Sequence, residues 1–112
     1  MPGPVLATYL QAEIGNPLLA RVTNVRFAKT VTRWARGTVP NRYALNRMQL
    51  VATLLLALQN SFEDPGGAAR WLTLDNPRLD FRAPIDALAD GAFAEVFAAA
   101  RECAESVDSR LR

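Results

Sequence analysis

The chain has 112 residues, half of them apolar, a net charge of +2 and one cysteine, enough for one modest core or two small ones that share a long element. It has no histidine, which excludes imidazole bases, most transition-metal sites and Ser-His or Cys-His nucleophiles, and the lone Cys103 excludes an intramolecular disulfide. The small net charge hides a sign split, because residues 1–49 carry seven Lys/Arg against the single acid Glu13, whereas residues 50–112 carry six against ten acids.

Such a split concentrates positive potential on one part of the molecule and predicts affinity for a polyanion. The acids are scattered and no glycine-rich phosphate loop is present, so the expected protein is not an enzyme and calls for no cofactor or metal. The start Met1-Pro2-Gly3-Pro4-Val5 lacks a signal-peptide pattern, and the apolar stretch 50–58 is about half of the ~20 residues a membrane span needs. A soluble, cytoplasmic protein is the expectation.

In chain order, apolar residues at 5, 6, 9, 10 and 14 predict a first helix over 5–14, closed by Gly15. Asn16-Pro17 reads as a cap followed by a first-turn proline, opening a short second helix over 18–23 that Asn24 closes in a left-handed turn. A third helix spans 27–36, with Gly37 at its end and Pro40 beyond. At 100° per residue, Phe27, Val31 and Trp34 fall on one side of it, and Arg26, Lys29, Arg33 and Arg36 fall in a narrow arc on the other. A cationic ridge on a short helix that follows another short helix and a turn is what a helix-turn-helix reader of DNA requires. The candidate DNA-binding residues are Arg26, Lys29, Arg33 and Arg36 for phosphates or guanine edges, with Thr30 and Thr32 adding hydroxyl contacts. Trp34 reads as the core anchor of this helix in preference to a base-stacking residue.

Residues 41–62 predict the longest helix, with Leu45, Met48, Val51, Leu54, Leu55, Leu56 and Leu58 covering more than one stripe, so it should be buried on several sides. It is either a leucine-rich core helix or also a self-association surface. Asp64-Pro65 repeats the cap and proline signal for a short helix over 66–72, ending in Trp71-Leu72. Residues 73–83 read as an ordered loop pinned by Leu79 and Phe81, followed by a brief helix over 84–88 and the Asp90-Gly91 stop. The last helix is amphipathic: Phe93, Val96, Phe97, Ala100, Cys103, Ala104 and Val107 form the apolar stripe, opposite Glu95, Glu102 and Glu105. Cys103 on that stripe reads as a buried small hydrophobe. With no strand signal, the fold class is all-α: a small helix-turn-helix N-terminal bundle joined by a long helix to a helical C-terminal domain.

The run Trp71-Leu72, Asn76-Pro77-Arg78-Leu79, Ala83-Pro84-Ile85-Asp86-Ala87-Leu88 and Asp90-Gly91, leading into a final helix, resembles the toxin-binding domain of the Xre/MbcA/ParS antitoxin family. Upstream, Val22-Thr23-Asn24-Val25 and Thr30-Val31-Thr32-Arg33-Trp34-Ala35-Arg36-Gly37 look like that family's Xre-type helix-turn-helix, so the resemblance covers nearly the whole chain. It implies two regions: residues 1–59, Xre-like and including the long helix, and residues 60–112, the toxin-binding domain. The implied partner is a RES-domain toxin that consumes NAD, whose active-site cleft the C-terminal domain covers. Operator DNA is the second implied partner, bound by a homodimer or by a hetero-oligomer with toxin. Here Asn24 stands in the family's Gly place and Arg26-Phe27-Ala28-Lys29 lengthens the turn, so base contacts do not transfer position by position.

Candidate toxin-binding residues are Trp71, Arg78, Phe81 and Arg82, because large aromatic and Arg side chains dominate binding energy at protein contacts. Trp71 and Phe81 suit a core equally well. Asp80 and Asp86 are candidates for pairing with the cationic groups that hold NAD phosphates. Two other classes stay open: a plain helix-turn-helix regulator whose C-terminal domain mediates oligomerisation, and an interaction module that does not bind DNA.

Overall fold

The computed structural model describes residues 3–62, 64 and 66–111, with side chains described as far as residue 105. Seven α-helices are found among them: α1 Gly3–Ile14, α2 Asn16–Thr23, α3 Ala28–Ala35, α4 Arg42–Gln59, α5 Gly67–Thr73, α6 Pro84–Ala89 and α7 Phe93–Leu111, with a 3₁₀ turn at Pro77–Leu79. The fold is all-α: the β-type pairing among the described residues is one isolated antiparallel bridge between Asn76 and Arg82. No helix among them is long and apolar enough to cross a membrane. Contacts divide the chain within α4 into Met1–Ala52 and Thr53–Arg112, whereas the sequence reading put the division at the helix end.

Three of the helix ends share one device. Asn24 (φ 58), Gly37 (φ 112) and Gly91 (φ 89) are left-handed, and each lets two N–H groups reach back to orphan carbonyls. Behind α2 these are Asn24 to Arg21 at 3.2 Å and Val25 to Ala20 at 3.1 Å. Behind α3 they are Gly37 to Trp34 at 3.2 Å and Thr38 to Arg33 at 3.1 Å, and behind α6 Gly91 to Leu88 at 3.0 Å and Ala92 to Ala87 at 2.9 Å. All three stops are local chemistry, which is why they are readable from residue type.

The start of α2 differs from the expectation. Gly15 (φ 84) is its cap, Asn16 is its first residue and Pro17 its second. The Gly15 N–H closes α1 on the Gln11 carbonyl at 3.0 Å, while its own carbonyl takes the Leu19 N–H at 3.1 Å, so one glycine serves both helices. Asn41 does cap α4, accepting the Ala44 N–H at 2.8 Å. With 18 residues α4 is shorter than expected, and α7, with 19, is the longest helix.

In the first unit α3 packs on α1 and α2, and the core comprises Leu6, Leu10, Leu19, Val22, Val31, Trp34, Met48 and Val51. The Gln11 side-chain amide donates to the Val31 carbonyl at 2.9 Å, tying α1 to α3. Arg47 of α4 donates to the Val22 carbonyl at 3.2 Å and lies against the Tyr43 ring, whose hydroxyl accepts from Asn24 at 2.8 Å. These bonds fix the α2–α3 turn against α4.

In the second unit α6 packs against α5 and α7, with Leu72, Leu79, Ile85, Leu88, Val96 and Ala100 in the core. Leu54, Leu55 and Leu58 of α4 are fully buried, but Leu56 is 51% exposed, so this helix is buried over about half its circumference and not all round. After α4 the Phe62 ring lies so close to Gly67 that a Cβ there would fall 2.6 Å from Phe62 Cβ, which requires a glycine at the start of α5. Pro65, read as a first-turn proline, lies outside the described residues.

Asp64 accepts the Gly66 N–H at 2.9 Å and pairs with Arg70. The hydrogen bond from Arg70, then that from Gly66, hold its carboxyl below the ordinary value of 3.8. A lowered folded-state value means that the contribution to stability is complete above pH ~4 and is lost as the pH falls through the folded value. Because the pair is exposed, the contribution is small. Arg70→Gln should therefore move the Asp64 titration, followed by carboxyl ¹³C NMR, up toward the ordinary range; an unmoved titration would assign the shift to the Gly66 amide alone.

Candidate functional site

Two surfaces qualify, one in each unit. On α3, Val31 is fully buried and Trp34 is 3% exposed, while Lys29 and Arg33 of the helix, Arg36 at its C-cap and Arg26 in the bend before it are all exposed. Trp34 is thus a core residue. None of the four cations makes an ion pair among the described residues, and Glu13 is the sole acid within the first 49 residues of the sequence. An unneutralised ridge of this kind keeps its full attraction for phosphate.

Phe27 departs from the expectation. It is the extended residue before α3 (φ −126, ψ 133), 55% exposed, and the Lys29 ammonium lies 5.5 Å from its ring centroid. The helical wheel placed it on the core side, but a residue ahead of the first turn does not follow helical geometry. The same correction applies to Arg26, whose wheel position in the ridge lapses although its side chain is exposed. Thr30 and Thr32 are half-buried at the two margins of the ridge. The Thr32 hydroxyl bonds the Ala28 carbonyl at 3.3 Å and accepts from Asn16 at 3.4 Å, so it braces α2 against α3.

The second surface is the loop between α5 and α6. The Asn76 carbonyl accepts from both Leu79 and Phe81 at 2.9 Å, and its side chain accepts the Arg78 N–H at 2.9 Å. Its own N–H reaches the Arg82 carbonyl at 3.0 Å, and the Arg82 N–H bonds Leu79 at 3.1 Å. These bonds make a closed knot with Leu79 buried beneath it. At its turn Asp80 (φ 56) and Phe81 (φ 65) are consecutive left-handed residues, a conformation that costs a residue with a Cβ about 1–2 kcal/mol and is least natural for a bulky one.

Phe81 is 68% exposed and does not pin the loop; Leu79 alone does. The left-handed backbone turns the ring outward, a reversal that apolar character could not reveal. Leu74, seven residues earlier in the same loop, is 64% exposed, and the sequence reading did not single it out. Its place between the end of α5 and Asp75-Asn76-Pro77 was the available signal, since no helix there could bury it.

The other candidates are held by the fold. Trp71 on α5 is half-buried. Arg78 pairs with Glu102 at 3.3 Å and Arg82 with Asp90 at 3.0 Å, both on the surface. Asp86 is half-buried in the first turn of α6, where a carboxylate faces the positive end of the helix. Beside Arg78 an open groove of about 400 Å³ is lined by Ala98, Arg101, Glu102 and Glu105. Thr53, Ala57, Phe97, Ala100, Arg101 and Ala104 line an apolar one of about 350 Å³. Cys103 is half-buried, less covered than its stripe position implied. No group of three metal-ligating side chains occurs among the described residues.

A scan against protein-family models finds none that matches the chain, and searches of curated proteins and of solved structures return no match.

Proposed function

We propose that the chain is an antitoxin of the Xre/MbcA/ParS type, which binds a RES-domain, NAD-consuming toxin through the second unit and operator DNA through the first. The observation that carries the reading is the Asn76–Arg82 knot. It is the same Asn76-Pro77-Arg78-Leu79 element on which the resemblance rests, and it is a densely hydrogen-bonded loop that carries an exposed aromatic. A loop held by its own bonds can dock without reorganising, which removes much of the ordering cost of binding.

Inhibition needs no chemistry from the antitoxin. Trp71, Arg78, Asp80, Phe81, Arg82 and Asp86 cover the mouth of the toxin's cleft and keep NAD out, with Asp80 and Asp86 opposite the cations that would otherwise hold its phosphates. On the first unit Arg26, Lys29, Arg33 and Arg36 neutralise operator phosphates, with Thr30 and Thr32 at the margins, and a dimer places two such ridges on one duplex. The exposed Leu50 and Leu56 of α4 favour self-association, which a plain regulator with an oligomerising second unit would also use.

The test is a pull-down of the tagged chain from its native cell extract, followed by an NAD-consumption assay on any RES-domain protein that co-purifies. A stoichiometric complex with NAD consumption abolished is expected. Full NAD consumption in the presence of excess chain would overturn the antitoxin reading, and a shift of promoter DNA without any protein partner would leave the plain regulator.

A further inference from the structure

Phe81 is the most exposed large apolar side chain of the second unit among the described residues, ahead of Leu74 and Leu56. The fold neither packs its ring nor favours its side chain, since a left-handed position suits glycine or asparagine. Asp80 before it is left-handed too, so the backbone is held against local preference over two successive residues. A rigid, unfavourable conformation that ends in an exposed aromatic is the arrangement expected of a binding anchor.

The surrounding charges say what it binds. Arg78 and Arg82 are neutralised in place by Glu102 and Asp90, and the two acids of the loop, Asp75 and Asp80, have no ion pair among the described residues. The ring is therefore flanked by neutralised arginines and a small negative charge, which suits an apolar pocket with a cationic margin.

We infer that Phe81 is the hot-spot anchor of the protein complex, displayed by the left-handed Asp80-Phe81 pair and seated in an apolar pocket of the toxin, with Arg78 and Arg82 forming a self-neutralised rim. The inference rests on the antitoxin reading for the identity of the partner. It adds that one ring, and not the already paired Arg78 or Arg82, sets most of the affinity.

Two variants separate ring from backbone. Phe81→Asn removes the ring and keeps a residue at home in the left-handed region, whereas Phe81→Gly removes the ring and the strain together. Binding of each to the purified RES-domain protein is measured by titration calorimetry, with Val39→Ala, an exposed apolar residue of the first unit, as control. Both Phe81 variants should bind at least about thirty-fold more weakly than wild type. Both should also melt no lower than it, which excludes unfolding as the cause, and the control should bind as wild type does. If Phe81→Asn binds within about threefold of wild type, the anchor is overturned while the antitoxin reading stands. If the wild-type chain does not bind the RES-domain protein, that reading falls and the anchor with it.

Discussion

Replacing Arg26, Lys29, Arg33 and Arg36 together by alanine should lower affinity for promoter duplex DNA by about three orders of magnitude at 0.1 M salt. Each phosphate contact contributes about 0.9 to the slope of log affinity against log salt, so four contacts account for about 3.6 of that slope, a factor of a few thousand at 0.1 M. All four side chains are exposed and none is ion-paired among the described residues, so their loss breaks no ion pair and only the exposed contact of Lys29 with the Phe27 ring. Stability should stay within about 0.5 kcal/mol of wild type, as for surface substitutions away from special features. Fluorescence anisotropy from 50 to 300 mM salt measures both affinity and slope. An unchanged slope would mean that the ridge does not meet phosphate, and would leave the first unit as scaffold.

Trp34→Ala should produce the largest loss of stability. Trp34 is 3% exposed on the inner side of α3, beside the fully buried Val31. Truncating a buried tryptophan costs about 3–5 kcal/mol, through lost transfer free energy and the cavity left behind. Small proteins have about 5–15 kcal/mol in total, so much of the fold's margin goes with this one side chain. A fall of roughly 15 °C in melting temperature is expected, followed by circular dichroism. Phe27→Ala is the matched control: its ring is 55% exposed, and the change should stay below about 1 kcal/mol. Comparable losses for both would show that the wheel placed the core side correctly for Phe27 after all.

The contrast between these two aromatics separates what was legible from what was not. Both were assigned to the inner side of one helix from their spacing. Trp34 lies inside α3, where 100° per residue holds; Phe27 precedes the first turn, so its direction depends on how the α2–α3 connection runs. The same holds for Leu79 and Phe81, read together as pins of one loop. Leu79 ends a 3₁₀ turn and is buried, while two left-handed residues turn Phe81 out. The candidate cations show a further difference. Those on and beside α3 have no ion-pair partner among the described residues, in keeping with a stretch that holds one acid, but Arg78 and Arg82 turned out to be paired.

By itself the sequence determined the all-α class, the helices and most of their ends, and the cationic character of α3. Each depends on interactions within a few residues: apolar spacing sets a helix, a left-handed Asn or Gly stops it, and a stretch with one acid cannot neutralise seven bases. Only the tertiary structure decided that Phe27, Leu56 and Phe81 face solvent. It alone joined Arg78 to Glu102 and tied Asn24 to Tyr43. Those outcomes depend on which elements meet, and a side chain's surroundings are set by segments distant in the chain, whose approach no local pattern encodes.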